Sequence, residues 1–83
     1  MRQVTLYGRP ECHLCDEARE ILVRLLQDAE DMELVERNIE DDDRLHRQYL
    51  ERIPVVELDG RIVSELVPDV QRLRATLLNT STR

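Results

Sequence analysis

The 83-residue sequence contains no Phe and no Trp, and Tyr7 and Tyr49 are its only aromatic residues. A core without large rings must be assembled from Leu, Val and Ile. A domain of this length buries only roughly 60 to 65% of the surface that its unfolded chain exposes. No apolar stretch approaches the ~18 residues that a membrane helix needs. Met1 to Pro10 lack the charged start, long apolar middle and small-residue cleavage site of a secretory signal. No Lys/Arg run or aromatic series offsets the formal charge of -6, which disfavours phosphate backbones and anionic lipids as partners. Only two cysteines occur, too few for the disulfide framework of a secreted mini-domain. The expectation is one small cytoplasmic globular domain, a monomer that binds neither nucleic acid nor membrane.

What is present reads as alternating strands and helices. Val4 and Leu6 fall on one face of residues 2 to 7, with Thr5 and Tyr7 opposite, until Gly8-Arg9-Pro10 stops the run. Leu14, Ala18, Ile21, Leu22, Leu25, Leu26 and Ala29 then form one stripe of an amphipathic helix. Its outward face carries Asp16, Glu17, Arg19, Glu20, Arg24 and Asp28. Residues 32 to 39 fit a half-exposed or edge strand poorly and a helix no better; they are read as a strand. Glu40 to Asp43 place negative charge at the start of a short helix carrying Leu45, Tyr49 and Leu50. Ile53 to Leu58, Asp59-Gly60 and Ile62-Val63 read as a β-hairpin. Leu66, Val70, Leu73 and Leu77 mark a last helix, with Pro68 and Asp69 in its first turn. The order is β-α-β-α-β-β-α over residues 1–78, followed by a polar tail over 79–83.

Cys12-His13-Leu14-Cys15 lies where the first turn opens the long helix. Unpaired N–H groups and the positive end of the helix dipole favour a thiolate at such a place, so Cys12 is expected to ionise readily. Lowering a thiol pKa from ~8.5 to ~7 requires about 2 kcal/mol, whereas the dipole typically supplies ~0.3 to 1. Arg9 and a protonated His13 are the nearby cations that can add to it. The thiolate fraction would rise from ~3% to ~50% at pH 7, but lost nucleophilicity returns about a factor of five. The larger benefit is that a low-pKa sulfur leaves readily when Cys15, one helical turn behind, attacks the mixed disulfide. Two buried small hydrophobes are the bland account, which suits Cys15 but not Cys12 in a polar turn. A closed zinc site would need a second Cys/His pair that the chain does not have, so no metal is expected there.

Ile53-Pro54 opens a strand that otherwise reads as interior, where a proline has no ladder N–H to lose. Sequence alone makes its peptide bond trans. His46, among Arg44 and Arg47, reads as a surface histidine. Tyr7, at the strand end near the cysteines, either lines a substrate groove or packs.

Val4-Thr5-Leu6-Tyr7, the Cys12 to Cys15 motif opening a helix, Ile53-Pro54-Val55-Val56 and the Asp59-Gly60 hairpin together resemble the glutaredoxin branch of the thioredoxin fold, over residues 2 to about 78. The short bacterial glutaredoxin-like proteins with Cys-His-Leu-Cys are the narrower likeness. The resemblance implies an α/β fold with a four-stranded mixed sheet flanked by helices, and a cis Pro54 beside the two sulfurs. It implies that Ile53 offers backbone hydrogen bonds to an extended substrate, and that Arg9 is the family's basic residue ahead of the first cysteine. The chain departs from typical glutaredoxins in having His13-Leu14 between the cysteines, Arg52 two before the proline, and Ile62-Val63-Ser64-Glu65 where Gly-Gly and an acidic residue hold glutathione. Ser64 and Glu65 are the residues left to bind the amino end of glutathione.

The expected activity is reduction of protein or glutathione-mixed disulfides, with Cys12 attacking and Cys15 resolving. Glutathione or a thioredoxin-type dithiol would serve as reductant, and no cofactor would be tightly bound. The rival functions are an iron–sulfur carrier, using Cys12 of two subunits with glutathione, and a redox-inactive binding module of the same fold.

Overall fold

β-favouring residues from Arg2 to Gly8 form the first strand, β1, in the computed structural model, which describes residues 2–79. Helix α1 (His13–Leu26) follows, then β2 (Met32–Asn38) and a 3-10 turn over Ile39–Asp41. Helix α2 (Asp43–Tyr49), β3 (Val55–Leu58), β4 (Arg61–Ser64) and α3 (Val70–Asn79) complete the chain. The strands form one mixed sheet in the order β2-β1-β3-β4, the α/β architecture expected.

Strand β1 is central. It runs parallel to β2 from Arg2↔Met32 to Gly8↔Asn38, as a helical crossover requires, and antiparallel to β3 from Val4↔Leu58 to Tyr7↔Val55. Pairing with β1 overrides the poor alternation of β2, and its position at the sheet edge lets Glu33, Glu36 and Arg37 reach solvent. Asp59 and Gly60 turn β3 into β4 with φ of 50° and 89°, the left-handed pair that a two-residue hairpin demands. The Asp59 carboxylate accepts from the Gln3 N–H at 3.0 Å and from Arg2 at 2.8 Å, which ties the hairpin to the start of β1.

Each face of the sheet has its own apolar cluster. Val4, Leu6, Val56 and Leu58 pack beneath Ala18, Leu22 and Leu25 of α1 and Leu73 and Leu77 of α3. On the other face, Ile39, Tyr49, Ile53, Val55 and Cys15 form a second cluster, against which Tyr7, Cys12 and Leu45 lean.

The structure corrects two helix readings. Leu14 is 36% exposed, whereas Cys15 is 3% exposed. The buried stripe of α1 therefore starts at Cys15, because the first turn carries that side chain inward against the end of β1. Leu66 stands outside the last helix with φ 59°. Pro68 disfavours helix in Val67 before it, and Asp69 caps the helix, its side chain accepting from the Arg72 N–H at 3.1 Å and its carbonyl from the Leu73 N–H at 2.9 Å. Asn79 belongs to α3, and the rest of the tail expected over 79–83 lies outside the described residues. No helix among the described residues is long and apolar enough to cross a membrane.

Leu22 has no exposed surface in the larger cluster. Leu22→Ala should lower unfolding free energy by about 3 kcal/mol in urea titration, the sum of lost transfer energy and a residual cavity.

Candidate active site

The turn at Pro10-Glu11 carries the chain from β1 into α1, and Glu11 adopts φ 61° to make it. Cys12 is thereby set as the N-cap of α1, in extended conformation at φ -105°, ψ 109°. Its sulfur accepts from the Cys15 N–H at 3.2 Å, one of the helix-start donors that would otherwise lack a partner. Cys12 and Cys15 are joined in a disulfide, with Cα atoms 5.2 Å apart. Cys12 is half-buried and Cys15 buried, so the first cysteine reaches the surface and the second lies behind it.

Gly8 makes room for this arrangement. A Cβ at that position would lie 3.0 Å from the Cys15 sulfur and 3.1 Å from its Cβ. The requirement is for space, not for a special backbone angle.

The residues ahead of β3 come to the same place. Ile53 belongs to the cluster that holds Cys15 and supports Cys12, and the Ile53–Pro54 peptide bond is cis. Tyr49 holds this segment: its carbonyl accepts from the Arg52 N–H at 2.8 Å and the Ile53 N–H at 3.0 Å. Of the backbone groups that Ile53 was expected to offer a substrate, the N–H is thus engaged within the protein.

Tyr7 and Tyr49 stack at 4.9 Å between ring centroids, tilted by 42°. Both hydroxyls donate to Glu57, Tyr7 to Oε1 at 3.2 Å and Tyr49 to Oε2 at 3.0 Å. Burial, reinforced by the Glu57 carboxylate, pushes the Tyr49 phenol up to about 12 and raises that of Tyr7 above its usual value. Tyr7 therefore packs and donates to Glu57 beside the cysteines, and its ring remains half-buried.

The remaining candidates are spread around this centre. Arg9 and His13 are exposed, and among the described residues neither hydrogen-bonds to the Cys12 sulfur. Arg9 lines a cleft of about 460 Å³ that also touches Gly8, Cys15, Arg19 and Glu36. That cleft opens on the β2 flank of the disulfide, away from the Ile53–Pro54 segment. Ser64 is paired across from Val56. Glu65 forms an ion pair with Arg52, whose guanidinium also lies 5.5 Å from the centroid of the Tyr49 ring. No group of three or more His, Cys, Asp or Glu side chains among the described residues is arranged to hold a metal ion.

Sequence reading took Gly8 only as part of the turn that stops β1 and Tyr49 only as a packing residue of the second helix, passed over Glu57, and treated Arg52 only as a departure from a family pattern. Glu57 carried a usable signal, as the one acidic residue in Val55–Leu58. The Arg52–Glu65 pair spans an intervening hairpin and carried none.

A family model described as Glutaredoxin-like domain (DUF836) matches residues 3–78. An X-ray structure of a structural-genomics target protein from X. campestris is similar at 38% identity, covering 92% of this chain and 96% of that one, with a TM-score of 0.73. The solution structure of protein Ne2328 from Nitrosomonas europaea is 32% identical over 92% of this chain and 91% of that one, with a TM-score of 0.72. Oxidised thioredoxin from Plasmodium falciparum shares only 10% identity over 95% of this chain and 80% of its own, at a TM-score of 0.69, and shows the fold as thioredoxin-like. No curated protein matches the chain.

Two outcomes follow from this geometry. Gly8→Ala forces a methyl group against Cys15 and should cost about 1 to 3 kcal/mol in chemical denaturation, as overpacking does. Because both phenols bind their protons more tightly when folded than at the unfolded value of 10.0, the stability they contribute is fully present below pH 10. It should fall as pH rises through about 12 for Tyr49. Denaturation midpoints across that range, compared with those of Tyr49→Phe, would measure it, and equal pH slopes for the two proteins would contradict it.

Proposed function

Since the chain belongs to the glutaredoxin-like domain family, we propose that it is a thiol–disulfide oxidoreductase that reduces protein disulfides through Cys12 and Cys15. The observation that carries this reading is the placement of the pair: Cys12 caps a 14-residue helix and is joined to a buried Cys15 one turn on.

In the reduced protein the Cys12 thiolate would accept the Cys15 N–H and feel the positive end of α1, while the Arg9 guanidinium adds positive charge nearby. It attacks one sulfur of the substrate disulfide. The Cys12–substrate bond forms, the substrate S–S bond breaks, and the departing thiolate takes the electron pair and a proton from water. Cys15, once deprotonated, attacks the Cys12 sulfur and expels the second substrate thiolate. The substrate gains two electrons and two protons, and the protein ends as the Cys12–Cys15 disulfide. Glutathione or a dithiol of the thioredoxin type returns the electrons by the reverse exchange. Buried Ile53 and Pro54 would back the place where the substrate chain lies, with half-buried Tyr7 and Ser64 and exposed Glu65 at its rim.

Cys12→Ser should abolish turnover of an insulin-type protein disulfide. Cys15→Ser should retain the first attack and accumulate a Cys12 mixed disulfide visible as an adduct by intact mass. Normal turnover by Cys12→Ser would overturn the assignment. Alkylation of the reduced protein by iodoacetamide should reach half its maximal rate at a pH below that of a free cysteine, ~8.5.

A further inference from the structure

The rim beside the Ile53–Pro54 segment combines a closed charge pair with open apolar surface. Arg52 immediately precedes Ile53, and Glu65 lies on the loop between β4 and α3. Their ion pair joins the two loops, and the Leu66 N–H donates to the Arg52 carbonyl at 3.1 Å. Beyond this link the chain exposes Leu66 (49%) and Val67 (70%) to solvent. Leu66 is held at φ 59°, a conformation that branched side chains seldom adopt and that persists where the surroundings impose it.

We propose that the Arg52–Glu65 pair and this apolar rim set the substrate class: protein disulfides flanked by uncharged, apolar residues, in preference to glutathione and other small anionic disulfides. The inference rests on the oxidoreductase reading above. A small anionic disulfide needs a cation for its carboxylates, and the guanidinium at this rim is taken by Glu65 on one side and by the Tyr49 ring on another. Exchanging the Glu65 carboxylate for that of a ligand replaces one exposed ion pair with another, while the ligand loses its translational freedom. The freed Glu65 would then repel it, as does the formal charge of -6. Arg9 and Arg37 line the cleft on the β2 flank instead. An apolar flank meets no such obstacle, because covering Leu66 and Val67 removes apolar surface from water and breaks no ion pair. The exchange itself is unchanged: the substrate disulfide takes two electrons and two protons, and the Cys12–Cys15 dithiol becomes the disulfide.

The test compares second-order rate constants of the reduced protein with two probes, oxidised glutathione and the disulfide of an acetylated, amidated Leu-Cys-Leu tripeptide. The measured quantity is the ratio of the glutathione rate to the peptide rate, which does not depend on the fraction of protein folded. Glu65→Gln frees Arg52 and should raise that ratio about two- to fivefold, the scale of one exposed ion pair. Leu66→Ser and Val67→Ser should raise it too, by slowing the peptide reaction. A ratio unmoved in all three variants would overturn the proposed selectivity while leaving the oxidoreductase reading in place. Reaction of the wild-type protein with neither probe faster than a small free thiol would overturn that reading, and the selectivity with it.

Discussion

The central position of β1 is the constraint on which the rest of this structure depends. Its two hydrogen-bonding edges are taken by β2 and β3, and both its faces are covered, one by α1 and α3 and the other by α2 and the segment before β3. A strand confined on four sides delivers its last residues to a fixed place. Gly8 then admits Cys15 at a distance that any side chain would contest, and the Pro10-Glu11 turn leaves Cys12 at the cap of α1. The cysteine pair is positioned by the core more than by contacts of its own.

A second device fixes the opposite wall. Tyr49 closes α2 with its carbonyl on the Arg52 and Ile53 N–H groups, while its ring lies against Tyr7 and below Arg52, and its hydroxyl reaches Glu57. One side chain and its own backbone thus join α2, β1, β3 and the loop that faces the disulfide. In a domain with only two aromatic residues, placing both here concentrates the available stacking where a loop must be held. Glu57 accepts two phenol hydroxyls, so hydrogen bonds compensate a half-buried carboxylate.

Much of this could be read from residues alone. Strong local signals marked β1, α1, the Asp59–Gly60 hairpin and the helix-start position of the cysteine pair, because each is encoded within a few neighbouring residues. The reading faltered at β2, whose strand character comes from pairing with β1, and at Leu14 and Leu66, whose periodicity matched a helix face that the chain does not use. At Leu66 the Val67-Pro68 step and the Asp69 cap outweighed the apolar spacing; at Leu14 the turn into α1 brought Cys15 inward instead.

By itself, therefore, the sequence determined the order of elements, the absence of an apolar membrane-spanning helix within residues 2–79, and a pair of thiols at a helix start, since turn chemistry, capping and periodicity act over one or two helical turns. Tertiary structure alone decided that the Ile53 N–H is taken by the Tyr49 carbonyl, that Glu57 is shared by Tyr7 and Tyr49, that Gly8 must lack a side chain and that Arg52 is claimed by Glu65. Each of these joins residues brought together only when both faces of one sheet are covered, and hydrogen bonds and close contacts depend on distances in space that spacing along a chain does not record.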